Sequence, residues 1–232
     1  TPPAPTGSVD FYICGPGATS CDDSGTFVSS ESLPGTVVGN DYTVTSDPFT
    51  PTSAGTYCWF ATWAGDENYP DGASHDTADE CFIVTPKTPV IVTDATDGPV
   101  ALGNPISDSA TLSGTANQPD GDPAGGTITF TAYGPTATST AVCTTTSFTP
   151  SPVAVSGNGT YGPVSFTPTL AGFYHWIAVY SGDPPNTNGA TTTCGDENET
   201  TEVLQLQPLM NTAQEFVPND SATITVLAGA GN

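Results

Sequence analysis

Nucleophilic and metal chemistry need particular side chains, and this chain offers few of them: six cysteines and two histidines, His75 and His175. A Ser or Cys nucleophile needs a base within hydrogen-bond reach, and a zinc centre needs Cys or His at short, regular spacings. Neither pattern occurs, and there is no glycine loop of the phosphate-cradling kind. Carboxylates are the abundant resource. Gly65–Glu80 reads GDENYPDGASHDTADE and gathers Asp66, Glu67, Asp71, Asp76, Asp79 and Glu80. Oxygen ligands suit Ca²⁺, but the EF-hand spacing is missing, so a solvated acidic loop is expected, with Ca²⁺ the one metal such a loop would suit. Nothing in the sequence marks a cleft that would shift carboxylate pKa values. The chain is therefore expected not to be an enzyme and to carry no cofactor.

Charge narrows the partners. Lys+Arg total 1 against 24 Asp+Glu, a formal net charge of −23. Such a surface repels phosphate backbones and anionic lipid, which excludes nucleic acid and membrane surfaces. The single lysine, Lys87, stands in TPKTP between the two halves of the chain and is expected to be an exposed linker residue. Thr1 is followed by PPAPTGS, with no secretory leader and no apolar span long enough to cross a bilayer, as in a mature or excerpted segment. Cysteines without metal spacing imply disulfides and an oxidising, extracellular or cell-surface location. Asn158, Asn198 and Asn219 begin NGT, NET and NDS, the N-glycosylation acceptor pattern.

The elements that position these residues are strands. Gly counts 25 and Pro 23, and no stretch sustains a helical period. Thr, Ser and Val between turn residues favour short strands, so an all-β fold is expected. The chain also repeats itself: FTPTSAGTYCWFATWAGD (Phe49 to Asp66) aligns without gaps on FTPTLAGFYHWIAVYSGD (Phe166 to Asp183). Upstream, GSVDFYICGP (from Gly7) matches GTITFTAYGP (from Gly126). Period-2 reading places Val9, Phe11 and Ile13 on one inward face, and Ile128, Phe130 and Ala132 on its counterpart. Tyr57 and Trp59, or Tyr174 and Trp176, point inward from the later strand. The final strands are expected to bury Phe82 and Val84, or Leu204 and Leu206.

These stretches resemble the Ig-like repeats of large secreted or cell-surface proteins of bacteria and archaea, across essentially the whole chain. The resemblance implies tandem β-sandwiches, with Tyr57 and Tyr174 as tyrosine corners that tie a strand's start to the loop before it. In Ig lettering, Thr88 to Gly114 supplies strands A and B to the second copy, ending NPISDSATLSG. Before the first copy only TPPAPT stands. At the other end VPNDSATITV, Val217 to Val226, repeats the B-strand phrase. The expected organisation is an incomplete acceptor sandwich at 1–87, a complete sandwich at 88–206, and an A–B strand pair at 207–232.

An incomplete sandwich exposes apolar core and an unpaired edge, so a donor must fill it. The expectation is an extracellular structural subunit that joins copies of itself head to tail by strand complementation into a filament or stalk. One alternative is an excerpt of a giant repeat adhesin. Another is a glycan- or host-surface-binding module using exposed Trp63 and Tyr180, although packing of these two rings over the sandwich end is the favoured reading. Within the repeat, Cys14 and Cys58 align with Tyr133 and His175, which favours pairs Cys14–Cys58, Cys21–Cys81 and Cys143–Cys194; Cys14–Cys21 with Cys58–Cys81 stays open. His175, standing where the sister copy has Cys58, reads as a structural replacement.

Overall fold

The computed structural model describes residues 2–75, 80–214 and 220–226, and their regular elements are strands, so the protein is all-β. Among these residues no helix is long and apolar enough to cross a membrane. The chain divides into two compact units: Thr1–Pro86 with Gln118–Asp122 and Pro184–Asn186 form the first, and the remainder forms the second.

The first unit contains β1 (Ser8–Cys14), β2 (Thr26–Ser32), β3 (Thr36–Val38), β4 (Asp41–Thr43), β5 (Gly55–Trp63), β6 (Ala73–His75) and β7 (Cys81–Val84). One antiparallel sheet runs β2-β1-β5-β6, with β7 also on β5, and β3–β4 is a separate hairpin. The second unit contains β8 (Val90–Ala95), β9 (Val100–Ala101), β10 (Ile106–Ser113), β11 (Thr127–Thr136), β12 (Thr146–Phe148), β13 (Val153–Ala154), β14 (Gly159–Phe166), β15 (Gly172–Tyr180), β16 (Ala190–Thr191) and β17 (Thr200–Leu204). Its three-stranded sheet β14-β10-β8 covers the sheet β12-β11-β15-β17-β9. β18 (Pro208–Gln214) and β19 (Asp220–Val226) pair with each other as a two-stranded ribbon.

Alternation decides which side chains meet. In the second unit Ile91, Ile106, Ala110 and Leu112 from one sheet pack on Ile128, Phe130, Trp176 and Ala178 from the other. β1 and β11 hold the same register against their partners: Phe11 opposes Ala61 and Ile13 opposes Trp59, as Phe130 opposes Ala178 and Ala132 opposes Trp176. Both tyrosine hydroxyls donate four residues back, Tyr57 to the Ser53 carbonyl and Tyr174 to the Leu170 carbonyl, at 2.9 Å each. The glycine opening each of those strands has a positive φ, +147° at Gly55 and +141° at Gly172. A Cβ there would fall 2.7 Å from Pro16 or Pro135, so the chain needs glycine twice over.

Several expectations need correction. The disulfides are Cys14–Cys21, Cys58–Cys81 and Cys143–Cys194, rather than Cys14–Cys58 with Cys21–Cys81. Cys58 lies opposite both Cys14 and Cys81, and it joins Cys81, whose Cα is 3.9 Å away. In the last strand of the second unit Val203 is buried while Leu204 and Leu206 are exposed. In the first unit Phe82 is exposed. Tyr180 is buried, its hydroxyl donating to the Gly125 carbonyl at 2.9 Å, so it offers no stacking surface to a glycan. Trp63 is half-buried and donates through Nε1 to the Thr6 carbonyl at 2.9 Å.

Candidate functional site

The inward face of the first sheet is built from the residues that the second unit buries completely. Trp176 and Phe130 are 0 % exposed, whereas Trp59 and Phe11 are only half-buried. Among the described residues no strand pair lies over this face as β8 and β10 lie over its counterpart. The face closes only near Ile13 and Tyr57, where Phe49 contacts the Tyr57 and Trp59 rings. Beyond them runs an open groove. One stretch of about 430 Å³ is lined by Phe11, Val44, Trp59, Ala61, His75 and Glu80. A second, of about 480 Å³, continues over Val9, Leu33, Tyr42 and Trp63, with Ala61 and His75 common to both. The compact cluster of this unit, Cys21, Cys58 and Phe60 with Tyr12 and Cys14, lies on the opposite face of the same sheet.

The ribbon β18–β19 has the complementary property. Across β10–β8, Asp108, Ala110 and Leu112 stand opposite Ala95, Thr93 and Ile91. Across β19–β18, Asp220, Ala222 and Ile224 stand opposite Gln214, Thr212 and Met210. Asp, Ala and Thr recur at matching positions, and an aliphatic or thioether side chain replaces each large apolar one. In the second unit that face is core: Ile91, Ala110 and Leu112 are buried. In the ribbon it is open, with Met210 64 % and Ile224 60 % exposed. Unpaired apolar faces on a groove and on a ribbon are the surfaces that strand addition consumes.

A buried acid pair, missed in the sequence, marks the same register. Asp108 and Glu199 are 0 % and 1 % exposed, and none of their four carboxylate oxygens has a hydrogen bond of ordinary geometry. Burial pushes Asp108 up to about 7, against backbone N–H groups of Ser109 and Asp94 that pull it down. Burial likewise pushes Glu199 up to about 8; Thr93 lies near enough to lower it, and the Asp108, Asp196 and Asp94 charges raise it further. The signal was present in ISDSATL, whose period of two puts Asp108 on the face of Ile106, Ala110 and Leu112.

The remaining candidates are dispersed. Asp66 loses some stability as an anion to desolvation, but the backbone N–H groups of Thr6, Asn68 and Tyr69 and the Thr6 hydroxyl outweigh this and hold its carboxyl below the usual range. It organises a turn. Asp76 and Asp79 lie outside the described residues, and no group of three or more His, Cys, Asp or Glu able to hold a metal occurs among the described ones. His175 is fully buried between the hydroxyls of Thr136 and Thr200, at 3.2 and 2.9 Å, with desolvation lowering its pKa. Lys87 is exposed, and its carbonyl accepts from Asn188 at 2.9 Å. Asn158 and Asn198 are exposed; Asn158 Oδ1 accepts from the Thr115 N–H and hydroxyl at 3.0 Å each, and Asn219 lies outside the described residues. Three disulfides fit an oxidising, extracellular environment. Compared with protein-family models and with curated protein sequences, the chain matches none.

Proposed function

We propose that this protein is an extracellular structural subunit of Ig-like sandwiches, which polymerises head to tail when the β18–β19 ribbon of one copy closes the open sheet of the next. The observation that carries this reading is the shared register of β18–β19 and β8–β10, set beside a groove over Phe11, Trp59 and Ala61 that has the place of β8–β10 unfilled. Fully burying a large apolar side chain is worth about 1.5–3 kcal/mol, and Met210, Ile224, Phe11 and Trp59 all gain. The ribbon's backbone would pair along residues 44–49, as β10 pairs along β14. Because donor and acceptor surfaces differ, the contact is heterologous and propagates into a filament or stalk.

The same geometry favours a second reading, a run of a longer repeat protein. β8–β10 precedes its own sheet within this polypeptide, and a ribbon of the same type would do so in a longer one.

Reciprocal variants of the full chain test the first reading by sedimentation and electron microscopy. Ile224→Asp spoils the donor, and Ala61→Arg blocks the groove. Wild type is expected to form concentration-dependent polymers, each variant alone to stay monomeric, and an equal mixture to form capped pairs through its one intact donor and one intact acceptor. Wild-type chains that stay monomeric at every concentration, or polymers indifferent to both substitutions, would refute the subunit reading.

A further inference from the structure

The buried acids of the second unit have counterparts on the two surfaces just described. β7 pairs with β5 as β17 pairs with β15: Gly55 opposes Val84 and Cys58 opposes Cys81, where Gly172 opposes Val203 and His175 opposes Thr200. Glu80, the residue before Cys81, therefore occupies the place of Glu199, the residue before Thr200. Glu80 lines the groove. On the ribbon, Asp220 occupies the place of Asp108 and Thr212 that of Thr93. All three members of the trio Thr93, Asp108 and Glu199 thus recur, the same in residue type, divided between donor and acceptor.

We infer, resting on the subunit reading above, that the junction between copies is keyed by this trio: Asp220 and Thr212 of the incoming ribbon seat on Glu80 of the receiving sheet, and the junction closes with proton uptake. In the second unit the corresponding carboxylates are shut away from water, and among the described residues no lysine or arginine side chain is buried with them. Lys+Arg total 1 in the whole chain, and that residue, Lys87, is exposed. The charged groups that act on the pair there, Asp94 and Asp196, are acidic. Desolvation with no lysine or arginine to pair with favours proton uptake by both carboxylates. At the junction Ala213 replaces Asp94 by register, which removes one like charge. Among the described residues, the groups facing the site from the acceptor are His75, whose Nδ1 is 3.6 Å from Glu80, Asp47, which register places beside Asp220, and Asp41 and Tyr42 further along the groove. Only His75 among these can supply positive charge. Both Asp220 and Glu80 are exposed in the single chain, so each enters the junction from water and the protons come from solvent.

The test measures the critical concentration for polymer formation of the full chain at about pH 5.5 and about pH 8.5, on either side of the range where buried carboxyls titrate. Wild type is expected to assemble at a concentration at least about tenfold lower at the acid pH, the effect of one proton held more tightly by one pKa unit. Asp220→Asn and Glu80→Gln, which alter exposed positions and leave the monomer folded, should assemble with that difference largely removed; His75→Gln should keep it. Equal critical concentrations for wild type at both pH values overturn the inference, as does a full pH difference in both carboxyl variants. Rescue of wild type at high pH by about 1 mM Ca²⁺, absent in Asp220→Asn, also overturns it, because the pair would then hold a hard cation. Polymers with no pH effect leave the subunit reading standing, whereas no polymer at either pH takes that reading down as well.

Discussion

A carboxylate on the inward side of a strand costs several kcal/mol unless it is paired or protonated, and Asp108 and Glu199 have no basic side chain to pair with. The consequence is a stability that depends on pH with a definite sign. Unfolded Asp and Glu titrate near about 4. In the folded protein the pair titrates at about 7 and about 8. Between those limits the folded state binds more protons than the unfolded one, so stability is full below about pH 4, falls as pH rises and levels off above about pH 8. Denaturant midpoints of the second unit between pH 4 and 9 should show this slope, and Asp108→Asn with Glu199→Gln should flatten it relative to wild type. A wild-type midpoint that climbs over that range would contradict the assignment. At this scale the sequence was legible where parity alone decides, as at Phe130 and Trp176, while the tyrosine corners at Tyr57 and Tyr174 were implied by the resemblance to Ig-like repeats. Tyr180 shares the parity of Tyr174, Trp176 and Ala178, and its burial agrees with packing over the sandwich end and removes it from the glycan-stacking alternative.

Among elements, the register of β8–β10 recurs in β18–β19, and its phrase DSAT is legible in the sequence. The last strand was harder. Val203 and Leu204 compete for the inward side, and Leu206 adds an apolar residue at Leu204's parity just past the end of β17; the pairing of Val203 with Gly172, beside the buried Tyr174, settles the matter in Val203's favour. Cysteine pairing was beyond periodicity, since Cys58 faces a cysteine on each flanking strand. The bridges nonetheless differ in what they constrain. Cys143–Cys194 closes a separation of 51 residues and Cys14–Cys21 only 7. Loop-closure entropy then assigns the long bridge about 4 kcal/mol and the short one about 2.5. Replacing both cysteines by serine, one bridge at a time, should lower unfolding free energy in that order by chemical denaturation. An equal or inverted loss would mean that native packing around the short loop, with Cys21 and Cys58 in one cluster, outweighs the chain statistics. Gly172→Ala belongs beside these variants: its Cβ would meet Pro135 at 2.7 Å on a φ of +141°, and a loss of more than about 1 kcal/mol is expected from strain of both kinds.

For the molecule as a whole, the formal charge of −23 sets the terms on which copies can meet. In the proposed assembly a head-to-tail contact would bring two strongly anionic bodies together, and the attraction that would offset this is apolar, from Met210, Ile224, Phe11 and Trp59. Apolar burial is nearly insensitive to moderate salt, while repulsion between exposed charges is screened over a Debye length of about 30 Å at 0.01 M and about 8 Å at 0.15 M. Raising NaCl across that interval should therefore speed polymer growth and lower the critical concentration at fixed pH. Light scattering on the full chain at constant protein concentration measures the rate. The direction is diagnostic: a junction held mainly by complementary charge, such as protonated His75 against Asp220, would weaken with salt, whereas one closed by apolar surface and neutralised carboxyls strengthens. Repeating the series in Asp220→Asn separates local from global electrostatics. If the salt response persists there while the pH response is lost, the whole-surface charge governs how often copies meet and the buried trio governs how firmly they stay joined.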